Sequence, residues 1–178
     1  MLIGYLILLG LILFDQLIKL ISVLTKVSGT SLIKVLIPNI LEFHYLENTG
    51  ASFGMLEGQQ AFFSLITIVA LIIFGYFFLD INLKEKKVFS IAIILFIAGT
   101  FGNAIDRIFR DGAVVDMLNM PILNNLISLV GLSPFIFNVA DIYLNFAVVL
   151  FIIDILFLER KRVGKHEKNW YKRRRLRK

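Results

Sequence analysis

The stretch from Gly99 to Leu118 reads GTFGNAIDRIFRDGAVVDML, and it determines how the rest of the chain is interpreted. It begins as the end of an apolar run, presents three polar side chains within five residues, and continues through a strand-like Ala-Val-Val to Asp116. A further aspartate, Asp141, follows in the sequence FNVAD. Carboxylates are costly in or near the hydrocarbon of a membrane, so two of them in so apolar a chain need a functional reason.

The composition is typical of a membrane protein. Hydrophobic residues make up 58% of the 178 residues and charged residues 18%, and the mean hydropathy is +0.82, which excludes an ordinary soluble domain. The net charge of +6 is concentrated at one end, because 11 of the 19 Lys and Arg lie between Arg160 and Lys178. The chain has no cysteine and two histidines, which excludes disulfides and thiolate chemistry and argues against a His-rich metal site.

Four apolar runs predict four membrane-spanning helices at about 2–23, 61–79, 88–107 and 135–158. About 20 residues at 1.5 Å each cross a hydrocarbon core of ~30 Å. The first run lacks the basic start and the small-residue cleavage site of a signal peptide, so it is interpreted as a span. The predicted fold is an all-α polytopic membrane protein with a small extracytoplasmic β-cradle and a long outer loop before the last helix.

The two regions between spans differ in character. Residues 25–60 contain Pro and several Gly, and residues 40–47 are strand-like, which predicts the small sheet of the β-cradle. Residues 118–134 are uncharged but contain Pro121, Gly131 and Pro134, so they predict a loop with a short interfacial helix instead of a further span. Residues 1–158 then form one membrane-embedded domain, followed by a basic tail at 159–178.

Basic residues orient the chain. The loop at 80–87 carries three lysines, and the tail carries most of the remaining positive charge. Both belong on the cytoplasmic side under the positive-inside rule. The number of crossings between them must therefore be even, which predicts both termini in the cytoplasm.

With this topology, every polar motif of the spans falls in the outer leaflet. Ionisable residues within spans are rare, usually face the bundle interior and often mark function, and a set that converges at one depth predicts a site. Asp15 and Lys19 share a helix face at i, i+4, and Asn138 and Asp141 share one at i, i+3. The whole set is Asp15, Lys19, Asn48, Gly50, Asn103, Asp106, Arg107, Asn138 and Asp141.

Some of these residues also have a structural interpretation. Asp15 with Lys19, and Asp106 with Arg107, can be ion pairs that orient helices. The three asparagines can form interhelical hydrogen bonds.

Asp116 and Asp141 differ from the rest because neither has an obvious local cation in the sequence. Two carboxylates close together can share one proton, because repulsion and desolvation raise one pKa while the other group stays ionised. One carboxylate can then activate water while the protonated partner polarises a peptide carbonyl. Such a pair titrates as a unit, so the sequence assigns neither residue a separate acid or base role.

Other functions fit parts of the pattern. A small proton-coupled transporter could use the same buried ionisable residues as a relay, although they are confined to one leaflet and no internal repeat is visible. A membrane scaffold or binding protein would need no chemistry from the two aspartates. The segment Gly50–Gly54 formally matches a serine-hydrolase G-x-S-x-G motif, but the only histidine after it, His166, lies in the tail.

Five sequence blocks follow one another along the chain: Phe14–Lys19, Asn48–Gly54, Gly102–Arg107, Val114–Asp116 and Phe137–Asp141. In this order they resemble the lipoprotein signal peptidase (signal peptidase II) family, the aspartic proteases of the bacterial membrane. The resemblance covers nearly all of the chain up to about Leu158. Ser52 stands where the family has alanine, and the outer loop is longer than in the shortest members.

The resemblance implies a catalytic dyad of Asp116 and Asp141. It implies a lipidated prolipoprotein as substrate, cut on the N-terminal side of its diacylglyceryl-modified cysteine, with no cofactor and no metal. Membrane lipids are the other expected partner, the chain is expected to be monomeric, and no nucleic acid is expected. The basic tail is interpreted as a topology determinant that contacts anionic lipid, with nucleic-acid binding as the alternative. The residues expected to bind substrate or support the dyad are Asn48, Gly50, Asn103, Arg107, Asn138, Asp15, Lys19 and Asp106.

Overall fold

The computed structural model describes residues 1–50, 59–132, 134–159 and Arg162. The second half of the Asn48–Gly54 block and the tail beyond Glu159, apart from Arg162, lie outside the described residues.

Four helices in the described part of the chain are long and apolar enough to cross a membrane, which confirms the predicted number of spans. They are α1 (Leu2–Thr25), α2 (Gln60–Phe78), α3 (Lys87–Phe109) and α5 (Val139–Ile153), which continues as a π-helical segment at Asp154–Glu159. A short helix, α4 (Pro121–Ser128), lies in the outer loop. Large apolar side chains on the spans remain exposed, as expected for helices that face lipid.

Helix α3 is the centre of the bundle. In its spanning window 61% of the residues are buried, against 17% or less in the other three. Small residues allow α5 to approach it closely, since a Cβ added at Gly99 would lie 2.6 Å from the backbone oxygen of Ala140. Away from the polar end, an apolar cluster centred on Ile93, Ile94 and Ile97 fills the space between α2 and α3.

A four-stranded antiparallel sheet lies at the polar end of the bundle, in the order β1 (Leu32–Ile37), β2 (Leu41–Asn48), β3 (Val114–Asn119) and β4 (Ile136–Phe137). Only β1 and β2 come from the segment predicted to form the β-cradle. The other two strands come from the outer loop, so the fold is mainly helical but is not all-α. Pairing of Asn48 with Val114 at one end of the sheet brings the ends of two distant segments together.

The last spanning helix begins at Val139, later than residue 135. Ile136 and Phe137 pair with β3, and Asn138 then caps the helix. The apolar character of residues 135–138 therefore reflects a strand and a cap instead of the first turn of a span.

Candidate active site

Strand β3 and helix α5 bring the two aspartates into one polar network. Asp116 lies on β3 and is only 2% exposed, and Asp141 lies half-buried in the first turn of α5. Asp116 accepts hydrogen bonds from Nδ2 of Asn48 at 2.8 Å and from Nδ2 of Asn138 at 2.7 Å. Asp141 accepts hydrogen bonds from Nδ2 of Asn103 at 2.9 Å and from the backbone N–H of Asn138 at 3.1 Å.

Asn138 connects the two carboxylates because it is also the N-cap of α5. Its Oδ1 accepts a hydrogen bond from the backbone N–H of Asp141 at 3.0 Å, which completes a capping box with the Asp141 carboxylate. Its Nδ2 donates both to Asp116 and, at 3.1 Å, to Oδ1 of Asn103. The interhelical hydrogen bonds expected of the asparagines are therefore present, and they run through the dyad.

The surroundings of Asp116 favour its protonated form. Burial, followed by the nearby charge of Asp141, raises the pKa of Asp116 from 3.8 to about 7. Hydrogen bonds from Asn48 and Asn138 and the charge of Lys19 act in the opposite direction but do not offset the burial. Near neutral pH this carboxyl is therefore divided between its protonated and ionised forms.

Arg107 supplies the cation that the sequence did not place near either aspartate. Its guanidinium interacts electrostatically with Asp141 on α5, with Asp116 on β3 and, less strongly, with Asp106 on α3. The group lies over the ring of Phe63 on α2, with Cζ 5.0 Å from the ring centroid. Asn48 is held in place in turn, because its Oδ1 accepts a hydrogen bond from the backbone N–H of Gly50 at 2.9 Å.

Lys19 is the centre of a buried ion cluster next to this network. Its fully buried ammonium lies 3.0 Å from the carboxylate of Asp15 and 2.9 Å from that of Asp106. It also donates to Oδ1 of Asn103 at 3.0 Å and to the backbone oxygen of Gly102 at 3.2 Å. The i, i+4 pair of Asp15 and Lys19 is confirmed, and it extends to a second helix.

Asp106 links Lys19 to β3, the strand that carries Asp116. Its Oδ2 accepts a hydrogen bond from the backbone N–H of Val115 at 3.1 Å. Its ion pairs are to Lys19 and to Nε of Arg110, at 3.3 Å, instead of the expected Arg107. Consecutive helix residues project in different directions, whereas residues i and i+4 share a face. The i, i+4 spacing of Asp106 and Arg110 therefore predicts this ion pair better than the adjacency of Asp106 and Arg107 does.

Asp15 links Lys19 to the N-terminus of α5, which carries Asp141. Its Oδ1 accepts a hydrogen bond from the backbone N–H of Ala140 at 2.8 Å, next to Asp141. Gln16, which is not among the residues predicted for the site, donates to Asp15 at 3.1 Å and to the oxygen of Gly102 at 3.0 Å. Among the described residues, no buried side-chain nitrogen or oxygen lacks a hydrogen-bond partner.

The structure therefore brings together all the residues predicted for the site. The arrangement is a pair of carboxylates bridged by amide side chains, next to one guanidinium and above a buried ion cluster. In the part of the chain that the structure describes, no three His, Cys, Asp or Glu side chains are grouped to hold a metal ion. A pair of this kind can act on a polar bond through water and a shared proton.

The chain matches a known protein family over most of its length. The family described as "Signal peptidase (SPase) II" matches residues 7–157, which include every site residue. The chain belongs to the signal peptidase II family.

Curated relatives of this signal peptidase II family member carry the name lipoprotein signal peptidase. One from Latilactobacillus sakei is 40% identical over 157 residues, covering 88% of this chain and 93% of the relative. One from Staphylococcus aureus strain RF122 is 39% identical over 145 residues, covering 82% of each chain. These lengths show that the match extends well beyond short motifs.

Solved structures support the same fold. A structure described as a bacterial membrane enzyme solved by the in meso method at 2.3 Å has a TM-score of 0.72 and 35% identity, covering 86% of this chain and 87% of that one. A second, at 1.9 Å, has a TM-score of 0.71 and 35% identity over 87% and 93%. The chain is thus a multi-pass membrane protein of a bacterial protease family.

Proposed function

We propose that this chain is an aspartic endopeptidase that removes the signal peptide from diacylglyceryl-modified prolipoproteins, cutting N-terminal to the lipidated cysteine. The observation that carries the proposal is the asparagine-bridged pair of Asp116 and Asp141 at the end of the spanning helices. Membership in the signal peptidase II family supports the substrate class, because the relatives are named for lipoprotein signal peptides.

The chemistry follows from one proton shared by the pair. Asp116, with its pKa raised to about 7, presents a protonated carboxyl to the carbonyl oxygen of the scissile peptide bond. The other carboxylate takes a proton from water as the water oxygen bonds to the carbonyl carbon. The tetrahedral intermediate then collapses, the C–N bond breaks, and the leaving nitrogen accepts a proton from the dyad. No cofactor takes part in this sequence.

The neighbouring side chains have separate tasks in this scheme. Asn48, Asn103 and Asn138 hold the two carboxylates in position through hydrogen bonds from their amide groups. Arg107 limits the repulsion between the aspartates, and its guanidinium is the group proposed to bind a substrate carbonyl. Lys19, Asp15 and Asp106 act as positioning residues, through the backbone of β3 and the N-terminus of α5.

The site is proposed to lie near the outer surface of the membrane. The lysine-rich loop between α2 and α3 is at the opposite end of the bundle and, with the basic tail, belongs in the cytoplasm. Both termini are then cytoplasmic. A substrate anchored by its signal helix and by two acyl chains reaches the dyad by moving laterally within the lipid, and one copy of the chain contains the complete set of site residues.

The test is a cleavage assay with a diacylglyceryl-modified precursor and its unmodified form. Asp116→Asn and Asp141→Asn should each abolish cleavage of the lipidated precursor while membrane insertion and thermal stability persist. Asp80→Asn, an exposed loop residue, is the matched control and should keep normal turnover. Near-normal turnover in either dyad variant would refute the catalytic assignment, and equal cleavage of both precursors would refute the lipid requirement.

The proton-coupled transporter has weaker support. Asp154, the first residue of the π-helical segment after α5, is buried but is paired with Arg162 at 2.6 and 2.7 Å. The buried ionisable residues of the described spans therefore form two separate clusters instead of a continuous relay.

A further inference from the structure

Helix α2 contacts the rest of the bundle at two levels. Near the α2–α3 loop, the ring of Phe74 stacks on that of Phe96 of α3, with the ring centroids 4.1 Å apart. Phe63 lies ~16 Å further along α2, in the first turn of the helix. There its ring contacts the guanidinium of Arg107 on α3. Through Phe63, α2 therefore contacts the candidate active site.

The guanidinium of Arg107 is not fixed by an ion pair with the neighbouring carboxylates. Asp141, Asp116 and Asp106 all act on its charge, with Asp141 the strongest. In the described part of the chain, however, none of the three forms an ion pair with Arg107, and Asp106 has its ion pairs elsewhere. A long side chain in such a position has many rotamers, and its charged end tends to turn toward water. Another contact must therefore hold it near the dyad.

The ring of Phe63 provides such a contact. Cζ of Arg107 lies 5.0 Å from the ring centroid, inside the ~6 Å over which an aromatic face attracts a cation. Both side chains are half-buried, so water competes less with this attraction than it does at an exposed site. The ring has no net charge and orients the guanidinium without neutralising it. A carboxylate in the same place would cancel the positive charge that acts on the dyad.

From this geometry we infer that Phe63 is a positioning residue, which holds the guanidinium of Arg107 beside Asp116 and Asp141. The inference rests on the proposed function, in which Arg107 limits the repulsion between the aspartates and binds a substrate carbonyl. Without the ring, Arg107 would spend less time near the dyad. Both of its tasks would then be performed less well.

The other charged groups around Asp116 come from elements other than α2. Asp141 on α5 and Lys19 on α1 act on its charge, and Asp106 on α3 is paired with Lys19. A substitution at Phe63 leaves these three groups in place. An effect of the substitution on the dyad is therefore expected to pass through Arg107.

The test separates the aromatic face of Phe63 from its bulk. Phe63→Leu removes the face and keeps an apolar side chain. Replacement of Phe63 with para-cyanophenylalanine keeps the ring and its packing, but the cyano group withdraws electrons from the face, so this variant carries the test if Phe63→Leu does not fold. Phe63→Trp keeps a strong cation-binding face. Phe62→Leu, at the adjacent exposed position, is the matched control.

The first measurement is kcat/KM with a lipidated precursor. It should fall about tenfold in Phe63→Leu, as expected for the loss of one partly desolvated cation–π contact. The cyano variant should lose activity in the same direction. Phe63→Trp and Phe62→Leu should stay near the wild-type value.

The second measurement follows Asp116 without any cleavage. Infrared spectroscopy in detergent micelles records the carbonyl stretch of its protonated carboxyl as pH is raised, and the band is identified by its absence in Asp116→Asn. A displaced cation favours the ionised form less, so in Phe63→Leu the band should persist to a pH about one unit higher than in the wild type. Arg107→Gln should shift the titration in the same direction. Adding Phe63→Leu to Arg107→Gln should then produce no further shift, because the ring acts through Arg107.

Three results would overturn the inference. The first is wild-type kcat/KM and titration in both Phe63→Leu and the cyano variant. The second is a loss of kcat/KM with no shift in the titration, because Phe63 would then contribute packing only. The third is an equal effect of Phe62→Leu. Since the titration needs no peptidase activity, it tests the positioning of Arg107 even if the wild-type chain failed to cleave the lipidated precursor, which would refute the proposed function instead.

Discussion

Replacing Lys19 with methionine tests the interpretation of the buried ion cluster most directly. Methionine keeps the length and apolar stem of the side chain but removes its charge. In the variant, Asp15 and Asp106 lose a cation at 3.0 and 2.9 Å, and Asn103 loses the donor at 3.0 Å to its Oδ1. Two fully buried carboxylates then lose the positive charge that neutralises them.

The magnitude follows from the burial. Removing one partner from a buried ion pair costs ~3–5 kcal/mol, because it leaves an uncompensated charge in a medium of low dielectric constant. For a domain of this size that corresponds to a decrease in Tm on the order of 10 °C. Turnover should fall as well, because Asp106 and Asp15 hold the backbone at Val115 and Ala140, next to Asp116 and Asp141.

The assay is thermal unfolding in detergent micelles together with cleavage of a lipidated precursor. Lys84→Met, which makes the same change on the exposed α2–α3 loop, is the matched control and should leave both readings near those of the wild type. A Lys19→Met variant with unchanged Tm and turnover would refute the reasoning, since the cluster would then contribute neither stability nor positioning.

Three further results are expected. Because burial and Asp141 raise the pKa of Asp116 to about 7, kcat/KM should fall as pH rises through that value and the shared proton is lost, as a pH–rate profile would show. Gly102→Ala should lower the Tm measured by thermal unfolding, because the added Cβ would lie 2.5 Å from Oδ2 of Asp15. Asn138→Ala should lower kcat by about a hundredfold, because it removes a group that positions the catalytic dyad. It should also lower the free energy of unfolding by ~1 kcal/mol, because α5 loses its N-cap. Steady-state kinetics measure the first effect and thermal unfolding the second.

The pH prediction has a clear refuting outcome, and the two substitutions have control variants within the chain. A profile that stays flat from neutral to alkaline pH would contradict the assignment of the shared proton to the dyad. Gly10→Ala makes the same substitution where nothing lies within 4 Å of the added Cβ, so it should leave Tm unchanged. Asn145→Ala removes an exposed asparagine further along α5, and a loss of kcat as large as that of Asn138→Ala would show that the effect is not specific to the cap.

Much of the architecture could be predicted from local features of the sequence. Four apolar runs specify four spans because a membrane-crossing helix needs only length and hydrophobicity. The pair of Asp15 and Lys19 followed from i, i+4 spacing, which fixes neighbours on one helix without any knowledge of the fold. The ordered motif blocks were sufficient to indicate the family.

Other features depend on contacts between distant segments, and local spacing does not encode those. Helix α5 begins at Val139 instead of the predicted residue 135, because Ile136 and Phe137 pair with β3. Asp106 binds Lys19 because small residues let the helices pack closely enough for a lysine of α1 to reach α3.

By itself, the sequence determined the number of spans, the end of the bundle at which polar residues gather and the identity of the two aspartates as a candidate pair, since these follow from hydrophobicity, charge and helical periodicity. Only the tertiary structure decided how the pair is built, with Asn138 and Asn103 bridging the carboxylates and Lys19 holding the elements beneath them. The reason is that buried polar groups must find partners wherever the fold brings them, and those partners come from segments far apart in the chain.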